Sequence, residues 1–217
     1  VQDHPDKLRR KRWRRSNEAL EYLMKMVSSA EREVVIISPY FVPEKQGVDF
    51  FTRLVRTGVR VVIVTNSLAS TNHKSVHAVY SRRRKPLLRE GVELYELRPH
   101  FESQTSDTAV TLHSKVLTVD RRRTFVGSFN LDPRSLYLNT ELGVAVDSEE
   151  LATDMATSIL DLLPDWAYKL SLSRRGKLQW TLQTGLGEEV ITTEPRTGWW
   201  LRLRTWLTGL LPIEGQL

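Results

Sequence analysis

The sequence predicts an α/β fold with parallel strand pairing. Two observations carry that prediction. Helical and strand patterns alternate through the first half, in the order helix, strand, helix, strand, helix, strand. The strands at 33–38 and 59–65 are continuous apolar runs, as strands buried on both faces are. The composition fits one large domain with a real core: 217 residues, 40% hydrophobic and 27% charged. With no cysteine, disulfides and thiolate metal sites are excluded. No apolar run is long enough to span a bilayer, and no signal peptide is visible. The first residue is Val1, which suggests a mature or truncated fragment. The net charge of +6 favours anionic partners, either nucleic acid or an anionic lipid surface.

The elements follow in order. Residues 7–15 carry seven basic residues in nine, and read equally as a solvated linker or as a contact for lipid phosphates. Asn17 opens a helix whose apolar positions are Leu20, Leu23, Met24 and Val27. Pro39 stops the first strand, which puts Tyr40 and Phe41 at its carboxyl end, where open α/β sheets place ligands. Pro43 suits the first turn of the next helix, which Gly58 ends. Residues 66–72 form a polar loop at the second strand's carboxyl end, led by Asn66. His73 and His77 lie four apart at the start of a helix that Gly91 closes. A headgroup pocket is the better role for His77 than a metal pair, because no nearby carboxylate completes a ligand set. Residues 92–97 form the third strand, and the polar stretch 99–109 reads as a lid or a surface loop.

The stretch 111–130 carries the chemistry. His113, Lys115, Asp120, Gly127, Ser128 and Asn130 are spaced H-x-K-x4-D-x6-G-S-x-N. The run after Lys115 reads as a strand, so His113 and Lys115 project to one face. An ammonium cannot accept a proton, so the pair suits an anion, with His113 as the reactive group and Lys115 neutralising charge. The turn 120–123 leads into a strand at 124–127, whose end adds the hydroxyl of Ser128 and the amide of Asn130. Histidine, lysine, hydroxyl and amide on one point describe a phosphate site. Asp120, beside a turn with three arginines, is expected to hold the hairpin through hydrogen bonds. A strand follows at 140–146, then a helix from 148 to about 163, and a hairpin with strands at 178–182 and 189–193. The helix predicted over 197–211 gathers Trp199, Trp200, Leu203, Trp206, Leu207, Leu210 and Leu211 on one face. That face suits a membrane interface, and equally packing on the domain or on a missing half.

The 111–130 stretch resembles the HKD motif of the phospholipase D superfamily in its extended form. Ile-Ser-Pro-Tyr-Phe-Val-Pro at 37–43, Gly-Val-Glu-Leu-Tyr-Glu-Leu at 91–97, Asn-Leu-Asp-Pro-Arg-Ser at 130–135 and the ending at 210–217 resemble the C-terminal half of bacterial cardiolipin synthases of the C subclass. The resemblance implies a mixed β-sheet flanked by helices on both faces, carrying one HKD half. It divides the chain into a basic linker and first helix (1–30), a catalytic domain (31–195) and an amphipathic C-terminal helix and tail (196–217). It implies phosphatidyl transfer through a phosphohistidine, with cardiolipin made from phosphatidylglycerol and a second phospholipid. His113, Lys115, Asp120, Ser128 and Asn130 are then catalytic-motif residues, and Glu141 fixes the histidine tautomer from the second ring nitrogen. Tyr40, Asn66 and His77 are the substrate-binding candidates. No metal or cofactor is implied. The implied partners are phospholipid, an anionic membrane surface at the bacterial inner membrane, and a second HKD half from a missing N-terminal portion or a homodimer partner. A phosphodiesterase of the same superfamily, whether phospholipase D or nuclease, and a non-catalytic lipid-binding half are the competing functions. The Trp-rich helix favours lipid over nucleic acid.

Overall fold

The computed structural model describes residues 1–3, 18–99 and 110–211. The basic run at 7–15 and most of the predicted lid lie outside the described residues. Helix α1 (Glu18–Ser28) leads into β1 (Glu33–Ile37), α2 (Lys45–Arg56), β2 (Arg60–Asn66), α3 (Lys74–Ser81), α4 (Arg84–Arg89) and β3 (Glu93–Leu97). The hairpin β4 (Val116–Val119) and β5 (Arg123–Gly127) follows, then the short helix α5 (Pro133–Tyr137), β6 (Gly143–Asp147) and α6 (Glu149–Trp166). A meander of β7 (Ala167–Leu172), β8 (Leu178–Thr184) and β9 (Gly187–Ile191) precedes α7 (Trp199–Gly209).

The nine strands among the described residues form one sheet in the order β6-β5-β4-β1-β2-β3-β7-β8-β9. The central pairs β1–β2 and β2–β3 are parallel, and the other neighbours are antiparallel. This is the expected mixed sheet. Strand alternation explains the helices on both faces. Val34, Ile36, Val61, Ile63 and Leu94 pack with α1, α2 and Leu87 of α4 in the larger core. Val35, Val62 and Val64 point the other way and pack with Leu163 of α6. With both faces covered, these strands are apolar at consecutive positions. Ala152 and Ala156, each fully buried, let α6 approach the sheet closely. Ser148 caps that helix, accepting a hydrogen bond from the Leu151 N–H at 3.3 Å.

Three elements depart from the sequence reading. The helix expected to run unbroken to Gly91 is two helices, and Pro86 sits in the first turn of α4, where a missing N–H does no harm. β7 follows α6 with no intervening loop. The helix α5 was not expected.

A buried ionic cluster ties the β7–β9 meander to the rest. Arg84, on α4, donates to Glu96 of β3 at 3.0 Å and pairs with Glu194 just beyond β9. Trp180 of β8 donates its indole N–H to Glu96 at 2.8 Å, and the guanidinium lies 5.3 Å from the Trp180 ring centre. Burial pushes the Glu194 carboxyl up, but the Arg84 charge beside it outweighs burial and holds it well below its ordinary value. Such a pair contributes little net stability, yet removing one partner leaves a buried charge unpaired. Arg84→Met should therefore destabilise the fold by about 3–5 kcal/mol in urea unfolding at neutral pH, and a loss under about 1 kcal/mol would contradict this role. Because the folded pKa of Glu194 is depressed, its contribution is complete above the ordinary value of 4.5 and is lost as pH falls toward 2. Glu194→Gln should flatten stability against pH across that window.

Candidate active site

The structure brings five of the six motif residues to one end of the β4–β5–β6 region, and each is placed by a local device. His113 is exposed on an extended segment that precedes β4, rather than on the strand itself. Asn66, at the carboxyl end of β2, holds that segment. Its Nδ2 donates to the Leu112 carbonyl at 3.1 Å, and its Oδ1 accepts the Leu112 N–H at 2.9 Å. Nδ2 also donates to the Pro39 carbonyl at 3.2 Å, and Ser70 Oγ donates to Oδ1 at 3.1 Å. Thr111 adds a 2.8 Å bond from Oγ1 to the Ser70 carbonyl. The ring of His113 makes no hydrogen bond among the described residues and stands open to solvent.

Lys115 lies half-buried beside it, and its ammonium donates to the His113 carbonyl at 2.7 Å. Burial lowers the Lys115 pKa, while the carboxylates of Glu141 and Asp132 act in the opposite direction. The two carboxylates favour the charged form of Lys115, and that ammonium beside an exposed histidine is the group here that could neutralise an anion.

Asp120 sits in the tight turn after β4 with φ of 54°. Its carboxylate accepts the N–H groups of Glu31, Arg32 and Glu33 at 2.8–2.9 Å. Burial would raise its pKa, but those three donors and the Arg123 charge outweigh burial and lower it. Asp120 thus ties the turn to the entry of β1, well removed in role from proton transfer.

Gly127 and Gly143 face each other across β5 and β6, under the ring of Phe125. A Cβ on Gly127 would meet the Leu142 carbonyl at 2.6 Å and the Phe125 ring at 2.8 Å, so this position admits no side chain. The close pairing turns Ser128 toward the start of β6. Ser128 Oγ donates to Glu141 in a short hydrogen bond and accepts the Leu142 N–H at 3.0 Å. Glu141 is buried, with Ser128 as its side-chain partner; no bond joins it to His113. The tautomer-fixing contact expected of Glu141 is therefore not formed in this chain, because its carboxylate is turned to the hydroxyl instead. Asn130 donates its backbone N–H to Ser135 Oγ at 3.2 Å, while its buried side-chain Oδ1 has no hydrogen-bond partner among the described residues.

The three substrate-binding candidates have separate fates. Tyr40 remains at the strand end, its hydroxyl donating to Asn72 Oδ1 at 2.7 Å and its ring edge-on to His73 at 5.1 Å. Asn66 is 2% exposed with its amide fully engaged, so it positions the His113 segment and has no group to offer a substrate. His77 is 3% exposed and faces Glu194, with Nε2 3.7 Å from Oε2, too long for a hydrogen bond. Its ring packs edge-on to Tyr80. That enclosure removes it from headgroup contact, and the rings of His73 and His77 have different partners.

Three positioning residues were missed in the sequence. Asp132 caps α5 by accepting the Ser135 N–H at 2.8 Å, and burial, helped by the Glu141 charge, raises its pKa despite that bond. The Asp-Pro pair at a helix start was the available signal. Ser38 bonds both the Tyr40 carbonyl and the Leu131 N–H, joining the β1 end to the Asn130 segment. Asp3 accepts the N–H groups of Glu141 and Ala19, each at 3.2 Å, and nothing in the composition near it announces this.

Residues 23–162 match the family model described as cardiolipin synthase, PLD-like domain. The chain therefore belongs to this phospholipase D-like family. It is 40% identical over 200 residues to cardiolipin synthase C of Escherichia coli (strain K12), which covers 88% of this chain and 42% of that protein. Cardiolipin synthase A of Pseudomonas aeruginosa is 34% identical over 134 residues, 62% of this chain and 25% of its own length. The chain thus spans less than half the length of these curated relatives. Among solved structures, the phospholipase D family member Nuc from Salmonella typhimurium aligns with a TM-score of 0.54 at 18% identity, over 69% of this chain and 90% of its own. Phosphatidylserine synthase from Haemophilus influenzae aligns with a TM-score of 0.59 at 15% identity, over 93% of this chain and 45% of its own. The structural likenesses establish the fold. The meander β7–β9 and α7 lie beyond the stretch matched by the family model.

Asn66→Ala removes the partner of three backbone groups, the Leu112 N–H and the Leu112 and Pro39 carbonyls. It should cost about 1–3 kcal/mol in urea unfolding. It should also release the Leu112 N–H to faster hydrogen exchange, whereas unchanged protection at Leu112 would contradict the positioning role.

Proposed function

We propose that this chain supplies one half of a phosphatidyltransferase active site that makes cardiolipin from phosphatidylglycerol and a second phospholipid. The observation that carries the reading is the 40% identity to cardiolipin synthase C of Escherichia coli across 88% of the chain. The site chemistry supports it. His113 is exposed, Lys115 stands beside it, and Ser128 and Asn130 come from the facing strand end.

In the reaction, one histidine of the pair attacks phosphorus, and a P–N bond forms as the P–O bond to the leaving alcohol breaks. The other histidine donates the proton that alcohol needs. The second phospholipid's hydroxyl oxygen then attacks phosphorus: a P–O bond forms as the P–N bond breaks with its electron pair left on the ring nitrogen, and the hydroxyl proton passes to the second histidine. Dividing the displacement into two steps is the logic of covalent catalysis. Lys115 and Asn130 would stabilise the charge at phosphorus.

The second half is needed because this chain brings one H-x-K. An exposed apolar patch beside the site supports a face for it. Val126 and Val144 pair across β5 and β6 at 45% and 63% exposure, and Leu142, on the same side, is 61% exposed. Helix α6 covers Thr124 of the same face and leaves these three bare. Action would be at the bacterial inner membrane; no described helix is long and apolar enough to cross a membrane.

Combined with its second half, the wild-type chain should form cardiolipin from phosphatidylglycerol vesicles, read by lipid mass spectrometry. His113→Ala should lower that rate by at least about 10²–10⁴-fold. Wild-type turnover by the variant would overturn the assignment, and release of acid-soluble nucleotides from DNA without cardiolipin formation would favour a nuclease.

A further inference from the structure

Helix α7 is seated with its amphipathic faces reversed. Its buried residues are Thr205 and Gly209. Gly209 lies against α3, where a Cβ would meet the Ala78 carbonyl at 3.0 Å, and Arg82 Nη1 donates to the Gly209 carbonyl at 2.5 Å. The Thr205 hydroxyl is buried without a hydrogen-bond partner among the described residues. Meanwhile Trp199, Trp200 and Trp206 are 57–67% exposed, and Leu203, Leu207, Leu210 and Leu211 are 38–57% exposed. A helix facing water would place these seven side chains inward. The reading in which they pack on the domain is therefore excluded for the described residues.

We propose that this outer face of α7 docks flat into an anionic phospholipid bilayer. Three observations select lipid as the occupant. Three of the seven exposed residues are tryptophan, whose ring is apolar with one polar N–H and so partitions to the bilayer interface. Residues 199–211 contain Arg202 and Arg204 and no acidic residue, and the whole chain is +6, so the charge is complementary to anionic headgroups. The helix has 11 residues, roughly 16 Å, too short to span and long enough to lie in the interface. The close Gly209–Ala78 approach and the Arg82 hydrogen bond seat the helix on α3, so docking α7 orients the sheet relative to the membrane. The choice of phospholipid rests on the proposed lipid reaction, but the docking itself is a separate claim.

The test uses the full 217-residue chain with vesicles of phosphatidylglycerol and phosphatidylcholine, some with brominated acyl chains. The wild type should co-sediment with them, and its tryptophan emission should be quenched by the brominated lipid, including at about 0.5 M salt, where surface attraction is screened. Trp206→Glu combined with Leu210→Glu alters only exposed side chains. It should keep the wild-type melting temperature, lose quenching and bind about tenfold or more weakly. Unchanged binding by that variant would overturn the proposal. So would a wild-type dimer in solution that the variant converts to monomer, since the face would then belong to a second copy. Turnover of dispersed short-chain phosphatidylglycerol, measured with the second half present, separates the two claims. The variant should turn over dispersed lipid normally and lose rate on vesicles. Absent turnover with quenching retained would sink the transfer reaction and leave the docking intact.

Discussion

One buried amide determines where His113 stands. Asn66 ends β2, the central strand of the parallel core, and binds both backbone groups of Leu112. His113 is the next residue. The arrangement converts the rigidity of a fully buried strand into the position of an exposed side chain. It also explains why His113 need not lie on a strand: the segment from Thr111 to Lys115 borrows order from the end of β2 instead of from a ladder. Leaving an amide unpaired at 2% exposure would be costly, so the bonds form wherever the strand forms.

The remainder of the site is built on the same logic of strand ends fixing loops. Asp120 gathers three N–H groups ahead of β1 and locks the β4–β5 turn to that strand. Ser38, at the other end of β1, reaches Leu131 and so holds the chain beside Asn130. The glycine pair at Gly127 and Gly143 brings β5 and β6 together under Phe125, which places Ser128 against Glu141. The acidic groups near Lys115 thus come from different elements, α5's cap and the start of β6, and meet only when the sheet is assembled. On the opposite side, Arg84 joins the meander to the parallel core, and the loop from Glu194 onward carries α7 to its seat on α3.

Much of this was legible in the sequence. The strands β1 and β2 showed as apolar runs bounded by Pro39 and Gly58, β3 showed after the helix-closing Gly91, and the β8–β9 hairpin showed around Gly185 and Gly187. The motif spacing located His113, Lys115, Ser128 and Asn130 before any coordinates. What escaped was long-range. β7 begins at Ala167 directly after Trp166, with no turn residue to mark the change of period. Asn66 reads as a loop donor until its partner 46 residues away is known. His77 reads as a headgroup-pocket candidate, and spacing does not show that its ring is buried facing Glu194, more than a hundred residues later. Glu141 meets the hydroxyl of Ser128 rather than the imidazole expected for it, a choice that spacing does not encode. Orientation was equally hidden in α7: the wheel gave two faces, and only the Gly209–Ala78 contact determined which one turned inward.

The central claim is that His113 belongs to a histidine pair that carries a phosphatidyl group. The most direct measurement is a rapid acid-free quench of the chain, with its second half and phosphatidylglycerol, followed by peptide mass spectrometry. The account predicts a phosphatidyl mass on one histidine of the pair, labile to acid as a P–N bond is, and no such mass when both histidines are replaced. Cardiolipin formation with the adduct on Ser128, or with the double replacement still turning over, would contradict it.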